Sequence, residues 1–309
     1  MASNRLVGGA LVTKTGIQYE IASGDYRATI VEVGAGLRKL WIGDRAVGGN
    51  YPADQVTPKC AGSSLVPWPN RIRDGKYSFA GVDYELPLTE PKAHNAIHGL
   101  ARWTRWTGVE HDADRVVLGV DIVPQSGWPF EVSCEVEYRL DAGRGLIVTA
   151  TATNHGDQAA PFGYGAHPYF ALGDTPLSDV HLRIPAMTYL THDDRSLPTG
   201  QQPVDGTSFD LRELTPLGDL RLDDCYIDLL PSGSVGIAEI RAGDHGADLW
   251  WDDAIKALQV FTLDVLVDGP AVAVEPMSCP PDAFNSGLDL VVLDTGARWE
   301  AHWGITAVG

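Results

Sequence analysis

Apolar and polar residues alternate with a period of two along most of the chain. Almost no stretch keeps the helical period over a useful length. Ile17–Ile21, Tyr26–Val33 and Leu37–Ile42 read as strands, punctuated by Ser23-Gly24-Asp25, Gly34-Ala35-Gly36 and Gly43-Asp44. That spacing predicts an antiparallel meander. A hairpin is predicted from Lys76–Phe79, a turn at Ala80-Gly81, and Val82–Leu86. Four more strands follow, Trp106–His111, Arg115–Val123, Glu131–Leu140 and Gly145–Thr153. The pattern resumes over Leu229–Trp251 and Ala257–Asp264, and again in the tail, Gly287–Trp303. Prolines 52, 58, 67 and 69 exclude a long helix over 51–75, which reads as loop. Lys92–Leu100 is a second loop. Asp174–Pro203, rich in Pro and Asp, is expected to be irregular, and Asp252–Leu258 is the best short-helix candidate. No repeat or linker divides the chain. The expectation is one all-β domain over residues 1–309, a sandwich of large antiparallel sheets with loops at its rims.

Composition narrows the partners. The 309 residues carry a formal charge of −18, which disfavours nucleic acid and anionic membranes as partners. No apolar run is long enough to predict a transmembrane span. Residues 1–16 lack the basic-then-apolar order of a secretory signal. Cys60, Cys134, Cys225 and Cys279 are scattered and form no C-x-x-C pair, so reduced thiols in a cytoplasmic protein are expected.

Candidate chemistry gathers in four places. Gly163-Tyr164-Gly165-Ala166-His167-Pro168-Tyr169-Phe170 holds one imidazole among small and aromatic residues. A proton-transfer group on a stiff segment fits that composition, although for a lone histidine packing in a β-core is the favoured account. Glu275 continues the wholly apolar run Ala271–Val274 and precedes Pro276, which is expected to stop the strand. A carboxylate there would be desolvated, with a pKa raised towards that of a general base, or would sit at the rim. Asn70-Arg71 with His94 and His98, and Arg221–Tyr226 with Asp223 and Asp224, complete the set. His94 and His98 are spaced i, i+4, but in a loop and without a third ligand, so no metal site is predicted. The sequence has no dinucleotide fingerprint, P-loop or nucleophile elbow. A glycosidase pair of Glu275 and Asp223 stays open, since sequence does not give their separation.

In order along the chain, these segments resemble the aldose 1-epimerase, or galactose mutarotase-like, family. Asn70-Arg71-Ile72 with Gly75 is similar to the family's N-R-I-x-x-G segment, and His98-Gly99 to its H-G segment. His167-Pro168-Tyr169-Phe170 is similar to the H-x-Y-F segment carrying the catalytic acid. Leu222-Asp223-Asp224-Cys225-Tyr226 is similar to the segment supplying a sugar-binding aspartate, and Val274-Glu275-Pro276 to that carrying the base. The resemblance implies a β-supersandwich and a cofactor-free interconversion of the α- and β-anomers of a hexose. In that reaction Glu275 would act as base and His167, as imidazolium, as acid. Arg71, His98, Asp223 and Asn70 would hold the sugar, with Trp68, Trp103 and Trp128 as candidates for its apolar face. Leu100 stands where many members have a second glycine, and Asp224 where histidine is common; alignment on Leu222 favours Asp223 as the binding residue. The Pro67-Trp68-Pro69 and Met277-Ser278-Cys279-Pro280 stretches resemble a bacterial subgroup, so galactose is not carried over as substrate. Two alternatives remain: a mutarotase for a phosphorylated or sulfonated hexose, with Arg71 and Arg73 meeting the anion, and a non-catalytic sugar-binding module. No cofactor or metal is implied, and a monomer or homodimer is expected.

Overall fold

The computed structural model describes residues 6–7, 10–11, 13–267 and 269–309. Half of the N-terminal stretch read for a secretory signal, residues 1–16, therefore lies outside the described residues.

Two antiparallel sheets carry the fold. The first begins as a meander, Thr107–His111, Arg115–Ile122, Val132–Asp141 and Gly145–Asn154. It then takes the C-terminal strand, Arg298–Val308, beside Gly145–Asn154, and continues through His245–Trp251, Gly236–Ala242 and Val180–Arg183. The second begins as the predicted N-terminal meander, Gln18–Ser23, Tyr26–Val31 and Gly36–Ile42. Its middle is Tyr169–Ala171, Ala271–Met277, Ala257–Leu263 and Asp223–Leu229, in that order. One continuous buried cluster draws side chains from both sheets, Ile30 and Leu40 from one and Leu118, Tyr138 and Val148 from the other. The Tyr138 hydroxyl donates across the interior to the Ala35 carbonyl at 2.7 Å.

Strand sequence tracks position in these layers. Val132–Asp141 alternates, each apolar residue facing the core and each polar one outward, as a strand with one wet face must. Ala271–Met277 is buried along its whole length, on both faces. Where the elements differ from expectation, tertiary context has overridden local pattern. Asp174–Pro203 is not irregular: it contains Val180–Arg183, Ala186–His192 and Pro198–Pro203. The last of these is an edge strand, where prolines cost few ladder bonds. Asp252–Leu258 is a turn running into Ala257–Leu263, not a helix. Pro276 does not end its strand either. The strand runs on to Met277, past the point where the neighbouring chain leaves the ladder between Gly165 and Tyr169. All four cysteines are free, and no described helix is long and apolar enough to cross a membrane.

Candidate active site

The site is a consequence of register. On one side of Ala271–Met277, Gly165 pairs with Met277 and Tyr169 with Ala273. Counting inward from either pair brings His167 opposite Glu275. On the other side Glu275 pairs with Gln259, and Gln259 with Cys225. Because side chains alternate, residues two apart on these strands share a face. Asp223, Gln259, Phe261, Glu275, His167 and Tyr169 thus project from the same side of the sheet. The His167 backbone is fixed from its far edge, where its N–H donates to Ser63 (3.1 Å) and its carbonyl accepts from Gly62 (2.7 Å).

A cavity of about 240 Å³ lies over this face, with His167, Tyr169, Asp223 and Glu275 in its lining. Loops and the short strand Arg71–Arg73 supply the rest, including Arg71, Glu90, His98 and Arg102. Larger hollows of about 410 and 420 Å³ lie beside Trp41 and His245, away from the carboxylate–imidazole pair. His167 Nε2 stands 3.3 Å from Glu275 Oε1, with side chains only 7% and 3% exposed. Tyr169 stacks on the imidazole at 5.0 Å between ring centroids, and His98 meets its ring edge-on at 5.5 Å. His167 Nδ1 and Glu275 Oε2 are buried without a protein partner. Unmatched polar atoms are costly in a protein interior, and here both belong to one pair.

Burial drives the pair's titration. It raises the Glu275 carboxyl well above its usual range; nearby Asp223 adds to the rise and Arg71 opposes it. His167 is pushed down to about 3, mainly by burial, with the Arg102 charge adding to the effect. Both shifts favour a protonated Glu275 beside a neutral His167 over the ion pair. The imidazolium expected at His167 is opposed by the same burial, because a dry pocket disfavours the separated charges. His98 is neutral as well. Burial holds it well below the usual imidazole range, with His167, Arg102 and Arg71 adding to the shift. Its Nδ1 accepts the Asn70 N–H at 3.2 Å, so its proton sits on Nε2.

The loops are shaped to deliver these groups. Asn70 and His98 both have positive φ, 51° and 60°. Gly99 follows with φ 68°, and a side chain there would strike the Val66 carbonyl, which accepts from Leu100 and Ala101. Only glycine allows that approach. Asn70 lines the cavity, but its Oδ1 is engaged by the Arg71 N–H (2.9 Å) and faces Arg71 Nη1 (3.4 Å). Asp223 Oδ1 accepts from Gln259 Nε2 at 2.8 Å, while Asp224 lies outside the lining and faces His192 at 3.4 Å.

Sequence reading placed Glu275, His167, Arg71, His98, Asp223 and Asn70 in one site, and all six line the cavity. Its other candidates lie elsewhere. His94 is exposed and paired with Asp74, and Arg73 is paired with Asp282 and Asp193. Trp68 and Trp128 are packed with Phe284 in the core, and Tyr164 is fixed there by the Trp303 N–H. Trp103 is 60% exposed. Glu90, Arg102 and Gln259 were missed. Gln259 lies two residues from Phe261 on a strand whose partner carries Glu275, a period-two signal that is readable once the pairing is known.

Comparison with known proteins bears on the family and the fold. The sequence model described as aldose 1-epimerase matches residues 18–306. YihR of Escherichia coli K12, an uncharacterized protein, is 34% identical over 285 residues, 91% of this chain and 90% of YihR. Human galactose mutarotase is 34% identical over 156 residues, 48% of this chain and 44% of that protein. Among solved structures, a GalM/aldose epimerase homologue of C. elegans superposes with a TM-score of 0.82 at 22% identity, covering 94% of this chain and 99% of that one. Galactose 1-epimerase of Lactobacillus acidophilus NCFM gives a TM-score of 0.78 at 19% identity, covering 99% and 97%. At such identities these two likenesses speak to the fold.

Proposed function

The chain belongs to the aldose 1-epimerase family, isomerases acting on carbohydrates, and from that premise we propose that it interconverts the α- and β-anomers of a hexose through Glu275 and His167. The observation that carries the reading is the 3.3 Å apposition of His167 Nε2 and Glu275 Oε1 in one cavity. An anomeric carbon bears two oxygens, and ring opening needs a proton taken from one and given to the other. A one-proton pair of acid and base meets that need without a cofactor.

The proton first moves from Glu275 to His167 as a hydroxyl of the bound sugar, donating to Glu275, favours the carboxylate. Glu275 then takes the proton of the anomeric hydroxyl while His167 protonates the ring oxygen, and the C1–O5 bond breaks to give the aldehyde. Rotation about C1–C2 and closure on the other face run the transfers backwards. Neutral His98 donates from Nε2, Asp223 accepts, and Arg71 donates to sugar hydroxyls.

A second reading, a phosphorylated or sulfonated hexose, is favoured by Arg102. Its guanidinium is buried beside the cavity, over the Trp103 ring at 4.1 Å and donating to the Ile97 carbonyl. Among the described residues no carboxylate lies within ion-pair distance of it. A buried cation without a counter-ion is unfavourable, and an anionic substituent would supply one.

Anomer exchange followed by NMR on neutral and charged hexoses tests both readings. Wild-type protein should accelerate exchange, and Glu275→Gln and His167→Asn should abolish most of it. Sugar binding without acceleration would leave a non-catalytic binding module. Release of reducing ends from a glycoside would point to a hydrolase.

A further inference from the structure

We propose that Glu90 is a positioning residue that aims Arg71 at the sugar and cancels its charge. The proposal rests on the reading of the cavity as a sugar site. Arg71 sits on Arg71–Arg73, opposite Ile97 on Asn95–Ile97, and Glu90 comes from the loop just before that strand. Glu90 Oε2 accepts from Arg71 Nε at 2.9 Å and Oε1 accepts from Nη2 at 3.0 Å. This is the two-pronged grip that fixes both the position and the plane of a guanidinium. With Asn70 Oδ1 facing Nη1 at 3.4 Å, three of the five N–H groups are engaged. One hydrogen on each terminal nitrogen remains, and Nη2 is 3.9 Å from Asp223 Oδ2.

Glu90 is itself held in place. Asn95 Nδ2 donates to its Oε2 at 3.1 Å, and Asn95 is fully buried. Arg195, from the loop after Ala186–His192, donates to Asn95 Oδ1 at 3.1 Å and accepts from Asn95 Nδ2 through its carbonyl at 3.2 Å. A chain of contacts thus runs from Arg195 through Asn95 and Glu90 to Arg71. Against burial, which would raise it, the Arg71 hydrogen bonds and charge hold the Glu90 carboxyl below its usual range. It stays ionised at neutral pH, so Arg71 presents directed donors with little net charge, unlike unpaired Arg102.

The test is anomer exchange on glucose and glucose 6-phosphate with wild type, E90A, isosteric E90Q, R71A and R71A/E90A. For glucose, E90A should raise KM about tenfold with kcat within about threefold, the pattern of lost uniform binding. E90Q should shift the ratio of kcat/KM values towards the phosphate. The double variant should be no weaker than R71A alone, since Glu90 acts through Arg71. A general folding defect would instead lower kcat on both sugars. An unchanged KM in E90A, an unmoved sugar preference in E90Q, or losses that multiply in the double variant would overturn the proposal. If wild type fails to accelerate exchange, the mutarotase reading falls. Calorimetric titration of glucose into wild type and E90A then decides Glu90, with equal affinities refuting it.

Discussion

The floor and the wall of the cavity are built on opposite principles. The floor is sheet: His167 and Glu275 face each other across adjacent strands, nearly dry, with one polar atom of each lacking a protein partner. The wall is a short two-stranded ladder with loops: Arg71, Glu90, Asn95 and Arg195 form a network of hydrogen-bonded, charge-matched groups. Unsatisfied buried groups carry shifted pKa values and are ready to exchange protons, whereas satisfied ones hold geometry. The rigid sheet sets the distance between acid and base, and the paired loops set what is held above them.

The largest effect should come from the floor. Glu275→Gln and His167→Asn should each lower kcat for anomer exchange by about 10³-fold, within the range for loss of a general acid or base. Retention of the full rate by both variants would remove chemistry from the floor altogether. On the wall, Arg71→Lys keeps the charge but loses the fork, and should raise KM about tenfold with kcat little changed. An equal fall in kcat would place Arg71 in the transition state and blur the division.

The floor should also show in stability. The folded protein keeps a proton on Glu275 above the carboxyl's ordinary pKa of 4.5, where the unfolded chain has lost it. Wild type therefore loses stability relative to Glu275→Gln as pH rises from about 4.5 through the raised pKa, by at most ~1.4 kcal/mol per pH unit. Denaturant melts of both proteins at pH 5 and pH 8 measure this, and a pH-independent difference would mean Glu275 is not desolvated. The smallest effect belongs outside both regions. Trp103, largely exposed, should tolerate alanine within about 0.5 kcal/mol of stability. A loss of sugar affinity in Trp103→Ala would instead extend the wall through the stacked Arg102.

The floor was easier to read than the wall. Ala271–Val274 has no polar residue, so the local pattern singles out Glu275 at its end as a carboxylate either buried or at the rim, and the structure buries it. Arg71 and His98 lie in short segments whose residue order resembles a family pattern. Glu90 carries no such mark: a glutamate between threonine and proline in a loop looks like any solvated one. Arg102 is equally plain beside Trp103 and Arg105. The tryptophans misled in the other direction, because an aromatic near polar motifs suits a sugar face and a core equally well. Trp68 and Trp128 pack against Phe284, a residue more than 150 positions away.

By itself, then, the sequence determined most of the strands, their turns and the burial of Ala271–Val274, because alternation, glycine turns and apolar runs are local properties. Tertiary structure alone decided that His167 falls opposite Glu275 and that Glu90 grips Arg71, and it put in the cavity Asp223, which alignment on Leu222 had favoured over Asp224. Each of those follows from strand register or loop packing between residues far apart in the chain. A shift of one residue in the register of the strands around Glu275 would turn its neighbours' side chains to the other face of the sheet.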